Sequence, residues 1–286
     1  MKPASLLCFL LLSLSAAAAF ADPGSATLDR IRGSGAIRLG YLESAAPFSQ
    51  ARGNEAPRGY SIDLCGRVAD ELRERLKLPD LRKEWVKVTL QDRLQAVKSG
   101  RIDLECGTTT WTLSRQQEVD FSLMTFVDGG SLLVKAESKA RRMADFAGLR
   151  IAVVSGTTTQ GALTRELARL RIDAKVAPVA DERTAMAMLA SGEADGYASD
   201  RLVLMGLALN ATGSRVYRLI DEDFSIEPYA LALRRGDPDF RLAVNRALAR
   251  VYRSGEIMQI YEKWFGLLGR PGVLLSAVYV LQAVPE

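Results

Sequence analysis

The chain of 286 residues contains no histidine. Every mechanism that needs an imidazole as base, proton shuttle or metal ligand is therefore excluded, Ser-His-Asp and Cys-His catalysis included. Neither charge sign dominates: 38 Lys and Arg stand against 34 Asp and Glu. These charges are spread along the chain with no basic arm, so no nucleic-acid partner is implied. Aromatic residues are only 7%, but 48% hydrophobic and 25% charged residues are ordinary globular proportions. A disordered or collagen-like chain is thus ruled out. At about 150 residues per domain, the length allows two modest lobes with their own cores.

Long apolar runs are missing except at the start. Residues 1–21, MKPASLLCFLLLSLSAAAAFA, hold one lysine, an apolar stretch from Leu6 to Phe20, and Ala19-Phe20-Ala21 as a small-residue cleavage pattern. This is the form of a secretory signal peptide. The run falls short of the roughly 18 apolar residues of a spanning helix, and its second half is mostly alanine. Cys8 follows Leu7 rather than a small residue, which argues against a lipoprotein cleavage box. The mature chain is expected to start at Asp22 as a soluble, exported protein. Of three cysteines only Cys65 and Cys106 then remain. An oxidising compartment favours one disulfide between them, two separately buried thiols being the alternative.

The body reads as strands alternating with helices, which predicts parallel sheets. Ala36 to Leu39 is a strand. Ser61 is placed to cap a helix carrying Ile62, Leu64, Val68, Leu72 and Leu76. Trp85 to Val88 is a second strand; a helix with Leu90, Leu94 and Val97 on one face then stops at Ser99-Gly100, and a third strand covers Ile102 to Cys106. The script recurs. GLRIAVVSG at 148–156 echoes Gly35 to Gly40, and SGEADGY at 191–197 echoes SGRIDLE at 99–105. Two similar α/β lobes follow from that echo. Asp128-Gly129-Gly130 and Ser225 to Pro228 read as turn-rich breaks. A second lobe, residues 129–226, would be inserted there into a first lobe made of 22–128 and 227–286, through two hinge crossings. Asp237-Pro238 opens a helix through Tyr252, and Gly255 to Phe265 forms another.

Ligands of α/β lobes sit beyond the carboxyl ends of the strands. There the chain places Gly107-Thr108-Thr109-Thr110 with Arg115 following, Ser155-Gly156-Thr157-Thr158-Thr159 leading into a helix, and Asp200. Singly, such threonines are turn and cap residues, an arginine is a surface charge, and an aspartate is a helix cap. Together they bring hydroxyls, a helix N-terminus, one guanidinium and one carboxylate to one cleft. That set suits a free amino acid: the guanidinium grips the α-carboxylate by two parallel hydrogen bonds, and the carboxylate takes the ammonium. No cofactor or metal is called for.

Over nearly the whole mature chain the sequence resembles the amino-acid-binding periplasmic solute-binding proteins of ABC importers. The resemblance lies in IRLGYLESAAPFS at 37–49, GYSIDLC at 59–65, SGRIDLECGTTTWTLSRQQEVDFS at 99–122, SGTTT at 155–159, SGEADGYASD at 191–200, EPYALALRRGDPDF at 227–240 and SGEIMQIYEKWFG at 254–266. LECGTTT, GYSIDLC and the KWFG ending are most similar to the glutamate/aspartate-binding branch. The resemblance implies an α/β, two-lobed periplasmic-binding-protein fold of type II, each lobe a mostly parallel sheet flanked by helices. By matching positions, Arg115 implies the α-carboxylate arginine, Thr108, Thr110, Thr157 and Thr158 the donors around it, Asp200 the α-amino aspartate, and Arg93 the arginine that holds an acidic side chain. Two positions depart from the branch, Leu42 where an arginine is usual and Glu182 where a histidine is usual. Glu182 either pairs with Arg93 across the cleft or meets a ligand amide or amine. The function implied is capture of glutamate or aspartate, with glutamine or asparagine as rivals, and delivery by a monomer to a permease in the inner membrane. A periplasmic cyclohexadienyl dehydratase-like enzyme, with Glu182 as general acid, is the alternative on the same scaffold.

Overall fold

A computed structural model describes residues 24–211 and 216–285, so the expected signal segment 1–21 lies outside the described residues. The described chain opens on α1 (Ala26–Ser34). Ser25 caps it by accepting from the Leu28 N–H, and Gly35 ends it in the left-handed conformation that glycine adopts without strain. A first run follows: β1 (Ala36–Tyr41), the hairpin β2 (Ser44–Ala45) and β3 (Ser49–Gln50), α2 (Tyr60–Arg75), β4 (Arg82–Lys87), α3 (Arg93–Lys98), β5 (Leu104–Glu105) and the single turn α4 (Leu113–Gln116). A long strand, β6 (Val119–Lys135), leads into a second run of β7 (Arg150–Val154), α5 (Thr158–Leu170), β8 (Lys175–Val179), α6 (Glu182–Ser191), β9 (Gly196–Asp200) and α7 (Arg201–Asn210). Then come β10 (Tyr217–Leu219), β11 (Ser225–Arg234), α8 (Pro238–Arg253), α9 (Glu256–Phe265) and α10 (Val273–Leu281).

Helical crossovers return the chain to the same end of the sheet, so successive strands pair in parallel. β1 is flanked in parallel by β4 and β5, and β7 by β8 and β9. These two triplets are joined through the antiparallel pair β6–β11, giving the order β4-β1-β5-β11-β6-β9-β7-β8 with β10 on β6. One core packs Leu64, Val68 and Leu72 of α2 against Phe240, Val244 and Leu248 of α8 and Leu39 and Leu104 of the sheet. In the second run, the period of two in β7 sends Ile151 and Val153 to one face and Ala152 and Val154 to the other, each with its own cluster. Cys65 and Cys106 form the expected disulfide, tying α2 to the end of β5 with Cα atoms 6.1 Å apart. Asp237 caps α8 as expected, accepting from the Phe240 N–H at 3.1 Å. No helix of the described residues is long and apolar enough to cross a membrane.

Two local expectations are corrected. Asp128-Gly129-Gly130 is not a turn but lies inside β6, and Ser225 to Pro228 begins β11; Asp128 pairs with Glu227, Gly129 with Ile226 and Gly130 with Ser225. These glycines serve close approach rather than reversal, because a Cβ at Gly129 would collide with Asp223 and one at Gly130 with Ser225 and Phe224. Ser61 is not the cap of α2. Gly59 holds that position, and the Ser61 hydroxyl donates to the Gly107 carbonyl at 2.7 Å, fastening the helix to the loop that carries the threonines.

Candidate functional site

The loop after β5 supplies Thr108, Thr109 and Thr110, all buried. Thr112 caps α4 by accepting from the Arg115 N–H at 3.2 Å, which fixes the turn carrying Arg115; its Nη1 donates to the Thr110 carbonyl at 2.8 Å. Burial lowers the Arg115 pKa to about 10, with Arg93 acting in the same sense while Glu105, Glu227 and Asp200 raise it. The guanidinium therefore stays charged at neutral pH, facing carboxylates from three strands.

Arg93 opens α3 and is only 3% exposed, yet its Nε and Nη1 find no hydrogen-bond partner. Glu105, at the end of β5, is fully buried and neither of its carboxylate oxygens is partnered. Burial pushes its carboxyl up, and the charges of Arg93 and Arg115 oppose this. Unpartnered buried polar groups cost free energy, so Arg93 is a donor waiting for an acceptor.

The second run answers from the other side. Thr157 caps α5, accepting from the Gln160 N–H at 3.2 Å and donating to the Val154 carbonyl at 2.8 Å, so its hydroxyl is taken up by the helix end. Thr158 is free of that duty. Its hydroxyl lies 3.1 Å from that of Thr110, and both donate to Glu227 Oε2, at 2.9 and 2.8 Å. Thr159 donates to Asp200 at 3.0 Å. Asp200 holds the N-cap position of α7 but makes no side-chain cap bond; its second oxygen accepts from the Tyr229 hydroxyl. Burial, with the charge of Glu227, raises the Asp200 carboxyl to about 6 against those two hydrogen bonds and the charge of Arg93.

Glu182 begins α6 behind the cap Asp181, which accepts from the Thr184 N–H at 2.8 Å. Its carboxyl is raised by burial and lowered by the charge of Arg93, but among the described residues no ion pair joins the two. Leu42 and Glu182 line the same groove of about 280 Å³, with Glu43, Lys87, Thr89 and Gln91 on one wall and Ala180 to Arg183 on the other. Gln91 bridges the walls, donating to the Ala180 carbonyl at 2.6 Å.

A family model, bacterial extracellular solute-binding proteins, family 3, matches residues 37–267. The chain belongs to this family. It is 33% identical over 255 residues to the L-glutamate/L-aspartate-binding protein of Pseudomonas aeruginosa, covering 88% of this chain and 84% of the relative. It is 32% identical over 271 residues to the glutamate/aspartate import solute-binding protein of Escherichia coli K12, covering 92% and 88%. Among solved structures it resembles the ancestral amino acid-binding protein AncCDT-1, a precursor of cyclohexadienyl dehydratase, with a TM-score of 0.72 and 28% identity over 85% of this chain and all of that one.

In this family 3 protein four acids and aromatics around the cleft were not assigned from sequence: Glu105, Glu227, Tyr229 and Asp128. A signal existed. Glu105 in DLEC, Asp128 in FVDGG and Glu227 in SIEPY each stand beside apolar strand residues, where a charge is buried only at the expense of desolvation.

Proposed function

We propose that this family 3 protein captures a polar L-amino acid in the periplasm, glutamate or aspartate first and glutamine or asparagine next, and presents it to the permease of an ABC importer. The observation that carries this reading is the meeting of the two runs at the Thr110 and Thr158 hydroxyls, 3.1 Å apart, with the Arg115 guanidinium bonded to the Thr110 carbonyl on one side and Asp200 bonded to Thr159 on the other. In this reading Arg115 takes the α-carboxylate, aided by Thr108 and the N–H groups of the α5 N-terminus that Thr157 caps, while Thr110 and Thr158 turn their hydroxyls from Glu227 to the ligand. Asp200 takes the ammonium. Pairing each ligand charge with an opposite one offsets the cost of burying a zwitterion. Arg93, buried with two unpartnered nitrogens, receives the side-chain acceptor. Residues 129–226 then close against 22–128 and 227–286 about β6 and β11, and ligand contacts from both sides stabilise the closed form of the monomer.

Thermal unfolding of residues 22–286 against each of the twenty amino acids tests this. A ligand at a hundred times its Kd adds about 2.7 kcal/mol of stability, so glutamate or aspartate should raise Tm by several degrees. A set of twenty flat curves contradicts the reading. The half-buried Glu182, its carboxyl raised by burial, is the observation that favours a dehydratase instead; turnover of prephenate or arogenate by the purified chain would establish that alternative.

Glu182 also tunes the choice between acid and amide. Its negative charge acts on the cation assigned to the ligand side chain, so Glu182→Gln should tighten glutamate binding by roughly tenfold, about 1.4 kcal/mol, and move glutamine by less than threefold. Calorimetric titration with both ligands reads the difference directly. Equal effects on the two would remove Glu182 from the side-chain pocket.

A further inference from the structure

Behind Asp200 lies a second carboxylate that the clamp does not use. Asp128 on β6 stands opposite Glu227 in the β6–β11 register and is as buried as Asp200. Its Oδ1 accepts from the Gly129 N–H at 2.9 Å and its Oδ2 from the Leu202 N–H at 3.1 Å. Tyr229, on β11, spans the two acids: its hydroxyl donates to Asp200 Oδ2 and lies 3.4 Å from Asp128 Oδ2. On its other side Asp128 borders a groove of about 550 Å³, walled by Gly129, Asp223, Phe224 and Ser225. Asp200, Tyr229 and Asp128 thus form a continuous polar path from the cleft to that groove.

One phenolic proton serves one acceptor. With the Tyr229 proton committed to Asp200, Asp128 Oδ2 faces the phenolic oxygen lone pair to lone pair, a contact that a proton on Asp128 relieves. The surroundings agree. Burial and the charge of Asp200 push the Asp128 carboxyl up to about 8, against its two backbone N–H bonds. The other charges facing this trio are Glu227, Asp223, which is paired with Arg201 at 2.7 Å, and Arg93 and Arg115, which act on Asp200.

We propose that Asp128 holds a proton against Tyr229 in the empty cleft and releases it to solvent through the outer groove when a ligand ammonium reaches Asp200. The O–H bond of Asp128 breaks, its electron pair stays on the carboxylate, and the proton passes to water. The two acids go from one negative charge to two as the ligand ammonium adds one positive, so the net charge of the trio together with that ammonium stays at minus one. This inference rests on Asp200 as the ammonium site.

Calorimetric titration of the full chain with L-glutamate and with L-glutamine, at pH 7.5 in buffers of different ionisation enthalpy, counts the protons released. The wild type should release about half a proton or more per ligand, with affinity rising as pH rises from about 6 to 8, because a process that expels protons is favoured where they are scarce. Asp128→Asn should bind with no such release and a flatter pH profile, and Tyr229→Phe, which keeps the ring in place, should show the same loss if the asparagine variant fails to fold. A binding enthalpy independent of buffer in the wild type, or undiminished release in both variants, overturns the proposal while leaving the amino-acid clamp standing. If neither ligand binds the wild type, the clamp fails first and the proton coupling falls with it.

Discussion

Arg115→Ala is expected to abolish binding of every amino acid. A bidentate contact between buried charges is worth about 2 to 5 kcal/mol, or roughly 30- to 5,000-fold in Kd. The loss should not depend on the ligand side chain, because the α-carboxylate is common to all. Arg115→Lys should recover little, since one ammonium cannot reproduce the two parallel hydrogen bonds of a guanidinium. Arg93→Ala makes the contrast: its guanidinium is assigned to the side-chain end, so glutamate and aspartate should lose more than tenfold while glutamine loses a few-fold. Titration of the wild type and both variants with glutamate and glutamine reads the four ratios. Equal losses for both ligands in both variants would dissolve the division of labour.

The second large effect concerns the frame that holds the site. The Cys65–Cys106 disulfide closes a loop of 41 residues between α2 and β5, and both cysteines are fully buried. Constraining a loop of that length in the unfolded chain is worth about 4 kcal/mol in the loop-entropy estimate. The double variant Cys65→Ala, Cys106→Ala should therefore lose several kcal/mol in denaturant unfolding, and a reductant should leave it unchanged while destabilising the wild type. Cys106 directly precedes the Gly107–Thr110 loop, and Ser61 ties that loop to the same helix. Affinity should fall alongside stability. A double variant within about 1 kcal/mol of the wild type would show that α2 and β5 are held by their packing alone.

Much of this architecture was legible because it is local. The Ser-Gly helix stops and the aspartates after them repeat at 99–105 and 191–197, and each marks a helix returning to a parallel strand. Arg93, Arg115 and Thr158 follow β4, β5 and β7, and Asp200 ends β9, at the carboxyl ends of strands where α/β folds place ligands. The pair β6–β11 was not legible. Asp128-Gly129-Gly130 has the composition of a turn, and only the approach of Asp223, Phe224 and Ser225, some ninety residues on, demands glycine inside a strand. The same long-range pairing explains why Glu227 and Tyr229 went unassigned. Glu227 meets Thr110 and Thr158, and Tyr229 meets Asp200, only after the chain has made both runs and come back. Thr157 shows the converse: a hydroxyl in the right segment is consumed by capping α5, a competition that residue type alone does not reveal.

The most direct measurement is the crystal structure of residues 22–286 bound to whichever amino acid raises Tm most. The ligand should lie enclosed between the two runs, its carboxylate on the Arg115 guanidinium, its ammonium on Asp200 and its side chain toward Arg93. A ligand seated elsewhere, or held with Arg115 and Asp200 both outside hydrogen-bond distance, would contradict this arrangement.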